Sequence, residues 1–287
     1  MLTKTQIDEF WDNGVLLLES LYCAADLEPL QRQFGEWIDE SRHHPGPFGE
    51  MLDGRPRFDV EPPGHSDSAP ALRRVASPEE ISPVFLDILL AGPMLEAVAD
   101  LLGDDLRFHH AKLNSKLPGS ATRVKWHQDF TFDPHSNDDC ITAMLFLDDI
   151  TPELGPACVV PGSHRGPLHS LWHDGVFTGA VADEVAADCD RMAIDCPGAS
   201  GSLCLMHTRM LHASAENRGT RPRTLYIATL TAADAVPLAP CAVPGRYAGR
   251  ILHGKDPGRV RSIAFEMEMP EIPVGASFFG QQAGKTA

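Results

Sequence analysis

Up to Gly103 the periodic segments of this chain, outside a short run at 15–18, repeat their apolar residues at helical spacing; after residue 105 it breaks into short apolar or alternating runs separated by Gly, Pro, Asp and Asn. A period of 3.6 and a period of 2 put side chains on incompatible faces, so a segment written in one cannot settle as the other. Helices first and strands afterwards argue against alternating βαβ units and for a mainly β architecture with helical decoration. Strands are predicted at 107–115, 140–148, 156–161, 201–207 and 223–231.

In the first part, Thr3 and Gln6 form a capping box, and Ile7, Phe10 and Trp11 make a stripe that Asn13-Gly14 ends. A short strand, 15–18, follows. Leu27, Leu30, Phe34 and Trp37 predict a second helix over 25–41. Residues 42–70 are dense in Pro, Gly and charge, which reads as a long loop and a candidate lid. Ser77-Pro78-Glu79-Glu80 supplies an N-cap and a first-turn proline for helices that run to Gly103, with a break near Gly92-Pro93. A chain of 287 residues is expected to form one domain: 1–104 mostly helical, 105–235 the β core, and 236–287 a C-terminal extension.

The formal charge of −16 excludes partners recognised through phosphate neutralisation, namely nucleic acid and anionic membrane. It favours neutral or cationic small molecules, an amine-bearing one included. Seven scattered cysteines without a CxxC pair read as buried free thiols. With no basic-then-apolar leader and no run approaching 18 apolar residues, a cytoplasmic protein is expected.

The sharpest local feature is Trp126-His127-Gln128-Asp129-Phe130. His127 and Asp129, two residues apart, share a face of an extended segment and can share a metal. The best third ligand is His212, followed by Ser214, Asn217 and Arg223; His207 is its rival and reads as a core or supporting histidine. Two imidazoles and one carboxylate make the facial triad of non-haem Fe(II) oxygenases, which leaves positions open for a chelating co-substrate and O₂. 2-Oxoglutarate would chelate through its keto acid and send its distal carboxylate to an arginine fork, for which Arg221 and Arg223 compete.

Other candidates carry plainer readings. His135 faces either substrate or solvent, and of the neighbours His109 and His110 one should point inward and one outward. Lys116, in a Lys-Leu-Pro-Gly turn, reads as solvated. Met144 and Phe146 read as core, and Pro161-Gly162-Ser163-His164 as a tight turn.

Four stretches, LNSKLPG (113–119), WHQDF (126–130), GPACVVPGSHRG (155–166) and HASAENRGTRPR (212–223), resemble the phytanoyl-CoA dioxygenase family, which includes bacterial ectoine hydroxylases. Their order is far more specific than any one piece. The resemblance implies a double-stranded β-helix (jelly roll, cupin-like) core over 105–235, with N-terminal helices packed on one sheet. It makes His127, Asp129 and His212 ligands of Fe(II), and Arg223 the partner of 2-oxoglutarate; Ser214, Gln128 and Asn114 match positions lining that co-substrate. Asp129 stands where halogenating relatives carry a small residue, so hydroxylation is favoured over chlorination. The alternative is a non-redox metal enzyme or cupin-like binding protein on the same fold. Contacts to the prime substrate are expected from 42–70, 130–139, 165–190 and the C-terminal tail.

Overall fold

In the computed structural model, which describes residues 1–61, 64–119, 122–273, 275–276 and 279–282, four helices precede the long strand that opens at Leu106. Helix α1 (Lys4–Asn13) starts at Thr3, whose hydroxyl accepts from Gln6 N while Gln6 Oε1 accepts from Thr3 N at 3.0 Å. It stops at Gly14, where φ is +79° and a Cβ would overlap the His164 ring and the Met210 methyl, so only glycine fits. Helix α2 (Ala24–Ser41) buries Leu27, Leu30, Phe34 and Trp37. Helices α3 (Pro83–Leu90) and α4 (Pro93–Leu102) each open on proline. Ser77, expected to cap a helix, instead has φ +47° and precedes only a 3₁₀ turn at Pro78–Glu80.

The strands are β1 (Val15–Leu18), β2 (Phe58–Val60), β3 (Leu72–Ala76), β4 (Leu106–Lys116), β5 (Val124–His127), β6 (Cys140–Phe146) and β7 (Ala157–Val159). They continue with β8 (Trp172–His173), β9 (Val176–Phe177), β10 (Ile194–Asp195), β11 (Leu203–His207), β12 (His212–Ser214), β13 (Arg223–Ala232) and β14 (Ile251–His253). Helix α5 (Asp183–Met192) and the short α6 (Phe279–Gln282) complete the elements. A large antiparallel sheet runs β1-β11-β6-β13-β4-β3-β2, with β14 also on β4; a small one runs β10-β7-β12-β5.

The period-2 pattern sorts the large sheet into two faces. Ile141, Ala143, Leu145, Tyr226, Ala228 and Leu230 pack with the helices, whereas Met144, Phe146, Leu225 and Ile227 turn toward the small sheet and meet Val159. Covered on both sides, all ten residues of β13 are buried. This is the expected double-stranded β-helix with helices on one sheet.

Two expectations need correction. The region read as one loop contributes β2, and β3 follows it; both extend the large sheet as an edge, in runs too short or too charged to show a period. Cys23 is exposed, although Cys140, Cys189, Cys196 and Cys204 are buried and all seven are free. Among the described residues, no helix is long and apolar enough to cross a membrane.

Candidate metal centre

Strand β5 ends at His127, and its partner across the small sheet is His212 at the start of β12. Asp129 does not continue the strand: it opens a one-turn 3₁₀ helix, Asp129–Thr131, which swings its carboxylate back under the two rings. One Asp129 oxygen lies 3.5 Å from His127 Nε2 and 3.6 Å from His212 Nε2. The three donor atoms all fall within 4.8 Å of one another. Metal–ligand bonds of about 2.1 Å put neighbouring donors roughly 3 Å apart, so the set needs only a small inward shift to hold one ion.

The rings are oriented for it. His127 Nδ1 donates to the Lys125 carbonyl at 2.8 Å and His212 Nδ1 to the Met210 carbonyl at 3.0 Å. Carbonyls only accept, so the proton sits on Nδ1 and each Nε2 lone pair faces inward. Thr142 Oγ1 donates to the other Asp129 oxygen at 2.6 Å. Burial raises the Asp129 pKa, but His212 and His127 outweigh it and hold the carboxyl below its usual range. Burial, with His127 behind it, lowers His212 to about 4. Both shifts keep the donors in the form a metal takes. The Pro161–His164 turn acts at one remove: Ser163 Oγ accepts from Leu211 N at 2.9 Å, fixing the approach to His212.

The triad opens into a cavity between the sheets of about 1140 Å³, mouth included. Successive inward residues of β4 mark its length: Lys116, Asn114, Lys112 and His110. Arg223 stands beside Lys116 in the β13–β4 register, buried, with Nη2 on the Gly155 carbonyl at 2.8 Å and Nε without a partner. Burial lowers its pKa to about 10, still fully charged at neutral pH, with Asp148 opposing the shift. Asn114 Oδ1 also lacks a partner, and Ser214 accepts from Lys116 Nζ at 2.8 Å. This end of the cavity can take a carboxylate.

Other candidates land elsewhere. Gln128 is fully buried but is not among the residues lining the cavity: its amide donates to the Pro167 and Arg209 carbonyls, and its oxygen accepts from His169 N. Arg221 is half exposed and pairs with Asp149. His207 packs against Trp11 and His164. Its strand β11 is separated by β6 from β13, the strand that opens at Arg223. Lys116, read as solvated, is the buried last residue of β4; burial, then Arg223, brings its pKa down to about 6. Met144 lines the cavity while Phe146 is core.

His109 and His110 both reach Asp133 because β4 carries a bulge: His110 pairs with Thr229 and Phe108 with Leu230, leaving His109 as the extra residue. These three also group donor atoms within 4.8 Å. Burial opposes a charge on His109, but Asp133, 3.1 Å away, outweighs it and raises the imidazole to about 10. His110 Nε2 donates to the other Asp133 oxygen at 3.3 Å, so the cluster balances its own charge, while His109 Nε2 and His110 Nδ1 lack a hydrogen-bond partner. His135, expected to face substrate or solvent, is buried with its ring edge on His109.

The sequence reading missed Arg55, Arg73, Arg74, Lys112, Thr142 and Phe279, all of which line the cavity. The 42–70 region, the 130–139 segment and the tail contribute Arg55, Phe132, Asp133, Pro273 and Phe279; nothing from 165–190 does. In Leu72-Arg73-Arg74-Val75 the adjacent arginines break any period of two, and only the flanking Leu72 and Val75 hint at β3.

A sequence model of the phytanoyl-CoA dioxygenase (PhyH) family matches residues 10–225. The chain is 28% identical over 269 residues to a probable alpha-ketoglutarate-dependent hypophosphite dioxygenase from Stutzerimonas stutzeri, covering 91% of this chain and 90% of that one. To an ectoine dioxygenase from Sphingopyxis alaskensis it is 24% identical over 238 residues, covering 77% and 73%. The crystal structure of EctD from S. alaskensis in its apoform superposes with a TM-score of 0.67 at 21% identity, covering 93% of this chain and 88% of that one. SnoK, a non-heme alpha ketoglutarate dependent carbocyclase from nogalamycin biosynthesis, gives 0.62 at 19% identity, covering 82% and 85%.

Proposed function

The chain belongs to the phytanoyl-CoA dioxygenase family, and from that membership we propose that it is an Fe(II)- and 2-oxoglutarate-dependent dioxygenase that oxidises a small molecule. The observation that carries the reading is the convergence of His127 Nε2, Asp129 Oδ1 and His212 Nε2 at the wall of a cavity whose far end holds a buried, incompletely paired Arg223. His127, Asp129 and His212 would hold the iron at the cavity wall.

Iron held there would supply O₂ activation coupled to decarboxylation of 2-oxoglutarate, to succinate and CO₂, and to oxidation of a C–H bond, hydroxylation being the expected outcome. The residues supply binding and orientation. Arg223 takes the distal carboxylate of 2-oxoglutarate in a bidentate grip, with Asn114 and Ser214 alongside. Lys116, held by Ser214 and the Ala215 carbonyl, keeps the Ser214 hydroxyl turned toward this end. Leu225, Ile227, Met144 and Met206 give the apolar wall that excludes water. The prime substrate enters past Arg55, Phe132 and Phe279. An amine-bearing substrate, favoured by the chain's net charge, would meet Arg55, Arg73, Arg74 and Lys112 there; basic side chains outnumber acidic ones in the cavity lining, opposite to the chain as a whole.

Conversion of 2-oxoglutarate to succinate by purified protein tests the reading: it should require added Fe(II) and be absent in Asp129→Ala. Iron-independent conversion, or none with any substrate of a broad screen that includes hypophosphite, would overturn it.

A further inference from the structure

We propose that the prime substrate carries a compact anionic group, a carboxylate or a tetrahedral phosphorus oxyanion, seated on Arg74. This rests on the reading of the cavity as an oxygenase site and names the substrate class that site takes.

Six Arg or Lys side chains line the cavity against two carboxylates, Asp129 and Asp133. Both carboxylates are committed, Asp129 to the metal centre and Asp133 to His109 and His110. Four of the six basic side chains are also accounted for. Arg223 and Lys116 sit at the co-substrate end. Arg55 is held by Asp53 at 2.7 Å and by the carbonyls of Ala242 and Pro273. Arg73 pairs with Asp59 at 2.9 Å and lies over the Phe279 ring.

Arg74 is different. It is 4% exposed, faces the cavity, and has neither Nε nor Nη1 in a hydrogen bond. Asp59 and Asp133 attract it at longer range, yet neither forms an ion pair with it. A buried guanidinium with two donors unmet carries a desolvation penalty that a bound anion would offset through parallel N–H···O bonds. Lys112, on the next strand, lines the same space.

The position separates this seat from the co-substrate. Arg74, on β3, pairs with Asn114; it is two strands across from β13, about 10 Å at ~4.8 Å per strand, and two residues, about 7 Å, along from the level of Lys116. Lys112 lies four residues along β4 from Lys116, about 13 Å at ~3.3 Å per residue. Arg223 is level with Lys116. One dicarboxylate reaching the metal from Arg223 therefore leaves Arg74 and Lys112 to a second molecule. Arg74 belongs to the large sheet and the metal ligands to the small-sheet side, so a substrate anchored there presents its other end to the metal.

The test is calorimetric titration of anaerobic Fe(II)-loaded protein, saturated with 2-oxoglutarate so that Arg223 is occupied. The probes are methylphosphonate, hypophosphite and acetate, with methylammonium as the opposite charge. At least one anion should bind and methylammonium should not. Arg74→Gln should weaken that anion roughly tenfold or more, and Arg74→Lys should recover part of the loss, while affinity for 2-oxoglutarate stays unchanged in both. The tighter of phosphorus oxyanion and carboxylate identifies the group. Absence of anion binding to the wild type, or equal binding to Arg74→Gln, overturns the proposal. If Arg74→Gln does not fold, preference of the wild type for methylammonium does so. Loss of 2-oxoglutarate binding in the wild type would instead strike at the oxygenase reading, and the same titration without metal still reports on Arg74.

Discussion

His127 and His212 are Cα partners across the β5–β12 pair, and their ring centroids lie 4.1 Å apart. Residues 85 positions apart in the chain are thus brought to one point by a sheet register, and a one-residue slip would turn His212 to the other face. The register is held from outside by Ser163 on Leu211 N and by Phe130 N donating to the Thr208 carbonyl at 2.9 Å.

Removing the hydroxyl behind the carboxylate should loosen the metal without removing a ligand. Thr142→Val leaves shape nearly intact but frees the Asp129 oxygen that Thr142 holds at 2.6 Å. Supporting hydrogen bonds of this kind are typically worth about 10–100-fold in metal affinity. Competition of Fe(II) with a calibrated chelator measures it; unchanged affinity would show that the bond does not orient Asp129.

At the far end of the cavity, Arg223→Ala should mainly raise the KM for 2-oxoglutarate. Loss of one partner of a buried charge pair costs about 2–5 kcal/mol, or roughly 30-fold upward. Arg223→Lys should recover only part of this, because an ammonium cannot reproduce the fork. Steady-state kinetics with varied 2-oxoglutarate decides; a fall in kcat at unchanged KM would place the carboxylate elsewhere.

Stability should depend on pH through Glu79, outside the site. Its carboxylate is buried with both oxygens unpartnered, and burial pushes its pKa from 4.5 up to about 8. A raised folded-state pKa means that the folded chain holds the proton more tightly. This share of stability is complete below pH 4.5 and is lost as pH rises through about 8. Urea unfolding at pH 5, 7 and 9 should show the wild type weakening relative to Glu79→Gln as pH rises. A constant difference between the two would rule out the shift.

The strong elements were legible in the sequence. Phe10 and the Leu27–Trp37 stripe marked the helices, and the runs at 107–115, 140–148 and 223–231 marked the central strands, because long periodic segments bury a face whatever packs on them. Strands β2, β3, β5 and β12, of three to five residues, were not, since runs that short owe their pairing to the sheet they join. His127, Asp129, His212 and Arg223 stood out through order and spacing, whereas Gln128, placed by the resemblance alone, has its amide committed to backbone groups. Arg74 and Lys112 escaped because nothing local distinguishes a lysine or arginine that faces a cavity from one that faces water. The bulge at His109 likewise depends on the partner strand.

The most direct test of the central claim is visible absorption of the anaerobic protein on stepwise addition of Fe(II) and 2-oxoglutarate. One equivalent of each should give the charge-transfer band of a keto acid chelated to iron in the wild type and none in Asp129→Ala. A band of equal strength in both proteins, or no band in the wild type, would contradict the assignment of His127, Asp129 and His212 to a single ion.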